Sequence, residues 1–148
     1  FLQQTSILDR LNASLCDAVT GRTDSRALLS LLDRTNLFVV PLDNHREWYR
    51  YHHLFADMLL RRLEYQYPAQ LADLHTRASQ WFAQNGLISE AITHALKAND
   101  KPRAVQLFEE NGCQFLIRGE TATLLKWIEA IEPFPPDHIW LVIQKAWH

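Results

Sequence analysis

Only one part of this sequence reads as extended chain. Leu37-Phe38-Val39-Val40 is β-branched and aromatic and is ended by Pro41, and Trp48 to Tyr51 answers it with alternating character. Between them the polar residues Asp43-Asn44-His45-Arg46-Glu47 supply a turn. Everything else has helical texture, so a single hairpin must be fitted among helices.

Before the hairpin, Thr5 to Leu11 and Ser14 to Val19 read as short helices, with Gly21 closing the second. Asp24 or Ser25 caps a third, whose apolar stripe is Leu28, Leu29, Leu31 and Leu32. After the hairpin, Leu54, Phe55, Met58, Leu59 and Leu63 follow a 3.6-residue period. The order of three helices, a hairpin and a helix predicts a winged-helix domain over residues 1–67.

From Pro68 only helices are expected, in a second segment covering residues 68–148. Pro68 suits a helix start, and Leu71, Leu74, Ala78, Trp81 and Phe82 make one apolar face. Asn85-Gly86 stops that helix, and Ile88, Ala91, Ile92, Ala95 and Leu96 mark the next. A third runs from Lys101 to Glu110 and closes at Asn111-Gly112; a fourth covers Glu120 to Glu132. Pro133 to Pro136 then precede a last helix carrying Ile139, Trp140, Ile143 and Trp147. Short helices on tight turns suggest a tetratricopeptide-like α-solenoid, although WFAQNG (81–86) and LFEENG (107–112) do not keep a 34-residue period. The fold class expected is mostly α.

Composition sets outer bounds. A net charge of −2 gives no global field toward nucleic acid or acidic membranes. The apolar runs fall well short of the roughly 20 residues that cross a bilayer. Cys16 and Cys113 form no CxxC, which favours free thiols in a reducing compartment. The chain starts at Phe1 and stops inside an apolar pattern, so an excised piece of a longer protein is expected.

Chemistry concentrates in Trp48-Tyr49-Arg50-Tyr51-His52-His53-Leu54-Phe55-Ala56-Asp57, at the junction of hairpin and helix. Adjacent His52 and His53 point apart on a helix, and His75 and His94 lie on separate helices without HExxH or Cys-His spacing, so no metal site is expected. No GxSxG nucleophile turn or GxxxxGK[ST] phosphate loop occurs, so the chain is expected not to be an enzyme. The third helix sets Arg26 and Arg34 against Asp24 and Asp33, too balanced for phosphate neutralisation, so direct nucleic-acid binding is not expected. Trp81 and Trp127 sit at core spacing; Trp140 and Trp147 would cover an open solenoid edge and favour self-association.

Five ordered blocks carry a family likeness: TSILDRLNASLCDAVTGR (5–22), NLFVVPLD (36–43), WYRYHHLFADMLLRRL (48–63), LHTRASQWF (74–82) and EAITHALKAND (90–100). Together they resemble the MalT-type, ATP-dependent LuxR transcriptional regulators over essentially the whole chain. The resemblance implies a cytoplasmic bacterial regulator in which a signal-transduction NTPase module precedes this winged helix. Further repeats, a small-molecule inducer and a distant DNA-binding block would follow. No cofactor is expected in the chain itself, and ATP or ADP in the parent protein. Arg50-Tyr51-His52-His53-Leu54 resembles the Met-His-Asp motif of related switches, implying that His52, with Arg50 beside it, senses a nucleotide phosphate. His53 stands where the motif has its acid, so that carboxylate's role is not carried over. The competing expectation is a helical-repeat adaptor for protein partners with no nucleotide link.

Overall fold

The structure is a computed structural model, and it describes residues 1–36, 38–132, 137 and 143. Of the predicted last helix, Ile139, Trp140 and Trp147 lie outside the described residues, as do the Pro133 to Pro136 break and Leu37.

Helix α1 is a single turn, Leu2–Thr5, followed by α2 (Ala13–Thr20) and α3 (Ser25–Arg34). The α2 ends match their chemistry: Asn12 Oδ1 accepts the Leu15 N–H at 2.7 Å, and Gly21, at φ 73°, returns its N–H to Asp17. Asp24 holds the N-cap position of α3 but makes no cap hydrogen bond; its carboxylate pairs with Arg22, and Asp17 Oδ1 takes the Ser25 N–H instead.

The predicted helix from Thr5 to Leu11 does not form. Leu11 is drawn into extended pairing with Tyr49, each N–H donating to the other's carbonyl at 2.7 and 2.8 Å. Two long-range hydrogen bonds and full burial of Leu11 outweigh a weak local helical preference. That bridge adds a third line of chain to the hairpin of β1 (Val39–Pro41) and β2 (Tyr49–Tyr51), which pair antiparallel with Val39 opposite Tyr51. Pro41 belongs to β1 rather than merely ending it, at a terminal position where a missing N–H is tolerated. Asp43 organises the turn, its carboxylate accepting the Glu47 and Trp48 N–H groups at 3.1 and 2.8 Å. Those donors hold its carboxyl below the ordinary range.

Alternation along β2 works as the sequence predicts: Tyr49 and Tyr51 are buried and Arg50 is exposed. Tyr51 Oη meets Thr5 Oγ1 at 2.7 Å, tying α1 to the sheet. Helix α4 (His53–Gln66) then leaves the hairpin with Leu59 and Leu63 buried.

After a 3-10 turn at Pro68–Gln70, helices α5 (Leu71–Gln84), α6 (Ile88–Lys97), α7 (Lys101–Ile117) and α8 (Thr121–Ile131) pack in succession. Asp100 caps α7 by accepting the Arg103 N–H. The stop predicted at Asn111-Gly112 is not used. Helix α7 runs through it because its apolar period continues from Ala104, Leu107 and Phe108 to Phe115, all buried, which offsets the cost of a helical glycine. Gly119, at φ 76°, follows the helix end instead.

One apolar cluster joins the hairpin, α2 and α5–α8, with Phe82 and Phe108 among its largest buried members. Trp81 is the seam. Its indole N–H donates to Ser14 Oγ at 2.9 Å, and its ring meets Trp48 edge-on at 6.3 Å between centroids. Arg10 lies over Trp48 at 4.5 Å and bonds Glu90 at 2.6 Å, bracing the same junction. Trp81 and Trp127 are buried, as their spacing predicts.

Candidate functional site

The hairpin hands the chain directly to α4, and His52 is the hinge between them. Its backbone N–H donates to Phe38 at 2.7 Å and its carbonyl accepts from Ala56 at 2.9 Å, with φ −57° and ψ 134°. The backbone is therefore committed to the fold while the imidazole is not. It makes no cap hydrogen bond, is exposed, and stacks on the His53 ring at 4.7 Å.

The first turn of α4 holds no acidic residue and no side chain caps it. Its leading N–H groups and the positive end of the helix dipole thus face outward, an arrangement favourable to an anion. Strand alternation puts Arg50 and His52 on the same outward side, two residues apart. Both residues are exposed, Arg50 on β2 and His52 just after it. Around them Phe38 stacks on Phe55 at 4.3 Å and Tyr51 meets Phe55 edge-on at 5.8 Å, making an aromatic base. Leu54 and Met58 remain exposed next to it. Arg61 and Arg62 are exposed further along, with Arg62 on Gln66.

A second histidine pair has quite different surroundings. His75 on α5 and His94 on α6 are 6% and 4% exposed and share an Nδ1···Nδ1 hydrogen bond of 2.8 Å. One ring must donate and the other accept, which requires opposite tautomers and at most one proton between them. Burial, reinforced by Lys97, pushes His75 down to about 4; burial, then His75 and Lys97, push His94 down to about 3. His94 also stacks on Phe82 at 5.3 Å. Sequence spacing offered no metal-ligand motif at these histidines and did not show that they meet. The signal was their place on apolar faces, His75 beside Leu74 and Ala78, His94 between Ile92 and Ala95.

Among the described residues no group of three or more His, Cys, Asp or Glu side chains is placed to hold a metal ion. Both cysteines are free; Cys16 is buried, and desolvation followed by Asp17 raises its thiol to about 12. That thiol is a packing group rather than a nucleophile. No helix among the described residues is long and apolar enough to cross a membrane.

Comparison with known proteins meets this geometry from outside. The family model described as the MalT winged helix domain matches residues 1–71. The serine/threonine-protein kinase PknK of Mycobacterium tuberculosis is 38% identical over 131 residues, covering 88% of this chain and 12% of that protein. The HTH-type transcriptional regulator MalT of Vibrio parahaemolyticus is 35% identical over 148 residues, covering 99% of this chain and 16% of the relative. MalT of Vibrio cholerae is 32% identical over 133 residues, with 90% and 15% covered. The chain thus spans well under a fifth of the length of these relatives. Residues 1–71 thus belong to the MalT winged-helix domain family, and the chain as a whole is similar to one stretch of the MalT-type transcriptional regulators and of PknK.

Proposed function

We propose that this chain is the coupling segment of a MalT-type regulator, a switch and scaffold rather than a catalyst. In this reading an upstream NTPase module presents ADP to the open N-terminus of α4. His52 donates to its β-phosphate, with Arg50 as the cation, and the latched state is inactive. Exchange for ATP, together with an inducer bound by the helical repeats that α5–α8 begin, releases the latch and permits self-association in the cytoplasm. The DNA-reading part lies elsewhere in the longer protein.

One observation carries this reading: the uncapped, acid-free start of a 14-residue helix bears an imidazole that the fold does not use. A structural histidine would be expected to cap, pack or bond; this one does none of the first and little of the second. The relatives add support from another side. One is named as a kinase and others as transcriptional regulators, so the shared segment is not tied to one kind of output.

The test is His52→Ala in the complete regulator, with ADP binding measured by calorimetry. Loss of a charge-assisted hydrogen bond should weaken ADP by roughly tenfold or more and raise basal activity. Unchanged ADP affinity would remove the latch and favour a helical-repeat adaptor without nucleotide control.

A further inference from the structure

At the turn end of the hairpin, away from His52, a cleft of about 730 Å³ opens between α3, the β1–β2 turn and the start of α2. That volume is in the range of small-molecule sites. Arg26, Ser30 and Arg34 follow one another along the α3 wall, and Arg46 stands on the turn opposite. Arg46 is ion-paired to Asp33, which clasps the turn to α3 and keeps the cleft's two walls in register. Arg26 and Arg34 have no anionic partner among the described residues.

Tyr49 lines the floor. It is 5% exposed, yet its hydroxyl makes no hydrogen bond among the described residues. Desolvation raises its phenol, followed by Asp33, while Arg46 opposes the shift, so the oxygen faces the groups of the cleft. That hydroxyl is not among the buried, unpartnered side-chain atoms but opens to the cleft, where a bound acceptor can take its hydrogen. At the end of the cleft lies the start of α2, where Asn12 satisfies the Leu15 N–H and leaves those of Ala13 and Ser14 without a partner among the described residues.

We propose that this cleft binds a small organic anion, phosphorylated or polycarboxylate, held by Arg26 and Arg34 with Tyr49 donating its phenolic hydrogen. Three arginines face only Asp33 and Glu47 among the acidic groups of the lining. Guanidinium forks match carboxylate and phosphoryl oxygens in pairs. Arg26 and Arg34 stand eight residues apart, about 12 Å along the helix, which suits an extended ligand with a charged group toward each end. The site uses no residue of the α4 latch and stands independently of it.

Calorimetry on the whole 148-residue chain at low salt, with inorganic pyrophosphate and with citrate, tests the site. One equivalent of at least one probe should bind, and the better probe decides between phosphoryl and carboxylate chemistry. Arg26→Gln and Arg34→Gln should each weaken binding roughly tenfold. Tyr49→Phe keeps the ring, so it should weaken binding several-fold with an unchanged melting temperature. Arg61→Gln, an exposed cation on α4 outside the cleft, should leave binding intact. The proposal fails if neither probe binds, if the arginine variants of the cleft bind as well as the parent, or if Arg61→Gln weakens binding as much as they do. It also fails if an octaglutamate peptide binds where both small anions do not, since the cleft would then receive a polypeptide.

Discussion

Two histidine pairs divide this molecule into a part that holds itself together and a part that faces outward. His75 and His94 are buried, bonded to each other and backed by Phe82. His52 and His53 stack on each other in the open, at a helix start that no side chain caps. The same residue type serves as a neutral internal clasp in one place and as an unspent polar group in the other. The environment alone makes the difference: desolvation forbids charge inside, whereas an exposed ring at a helix N-terminus is free to meet an anion.

The sharpest way to break the contrast is His94→Ala. It removes a stacked ring from the core and strands His75, so a loss of about 2–4 kcal/mol is expected in urea unfolding. A loss no larger than that of a surface variant would mean the pair is not a clasp. Next comes acid. Both imidazoles have folded pKa values below the unfolded 6.5, at about 4 and about 3. Below pH 6.5 the unfolded chain therefore takes up protons that the fold refuses. Stability should be complete above that pH and fall as the pH drops toward 4, and the double variant His75→Leu with His94→Leu should flatten that slope. A slope that survives in the double variant would assign acid sensitivity to the carboxylates instead.

A smaller effect is expected at Gly86, which sits at φ 74° with nothing within 4 Å of an added Cβ. Gly86→Ala should cost about 1 kcal/mol from backbone strain alone. The smallest belongs to the outer pair: His52→Ala should change unfolding free energy by less than about 0.5 kcal/mol. A large loss there would show that the imidazole supports the fold, and would turn the latch reading into a packing one.

Gly86 also shows how far the sequence could be read. Asn85-Gly86 and Asn111-Gly112 look alike, and a stop was expected at both. Only Gly86 takes the left-handed conformation; Gly112 lies buried within α7. The deciding signal, an apolar period that resumes at Phe115, comes after the turn rather than in it. Leu11 failed for a related reason. Nothing local announces that its backbone will pair with Tyr49, 38 positions along the chain. By contrast the hairpin, the α2 stop at Gly21, the alternation of Tyr49, Arg50 and Tyr51, and the hairpin-to-helix junction at His52 were all legible, because each depends on neighbours within a few residues.

The sequence by itself determined the winged-helix order, the helical character after Pro68, the likeness to MalT-type regulators, and the position of Arg50 and His52 at a hairpin-to-helix junction. Periodicity, capping and turn chemistry act over one or two turns of chain, so the pattern is enough to read them. Tertiary structure alone decided that His75 meets His94, that Trp81 reaches Ser14, and that Arg26, Arg34 and Tyr49 share one cleft. Those pairings rest on burial and on hydrogen bonds between segments far apart in sequence. Their free energy exists only once the chain has closed on itself.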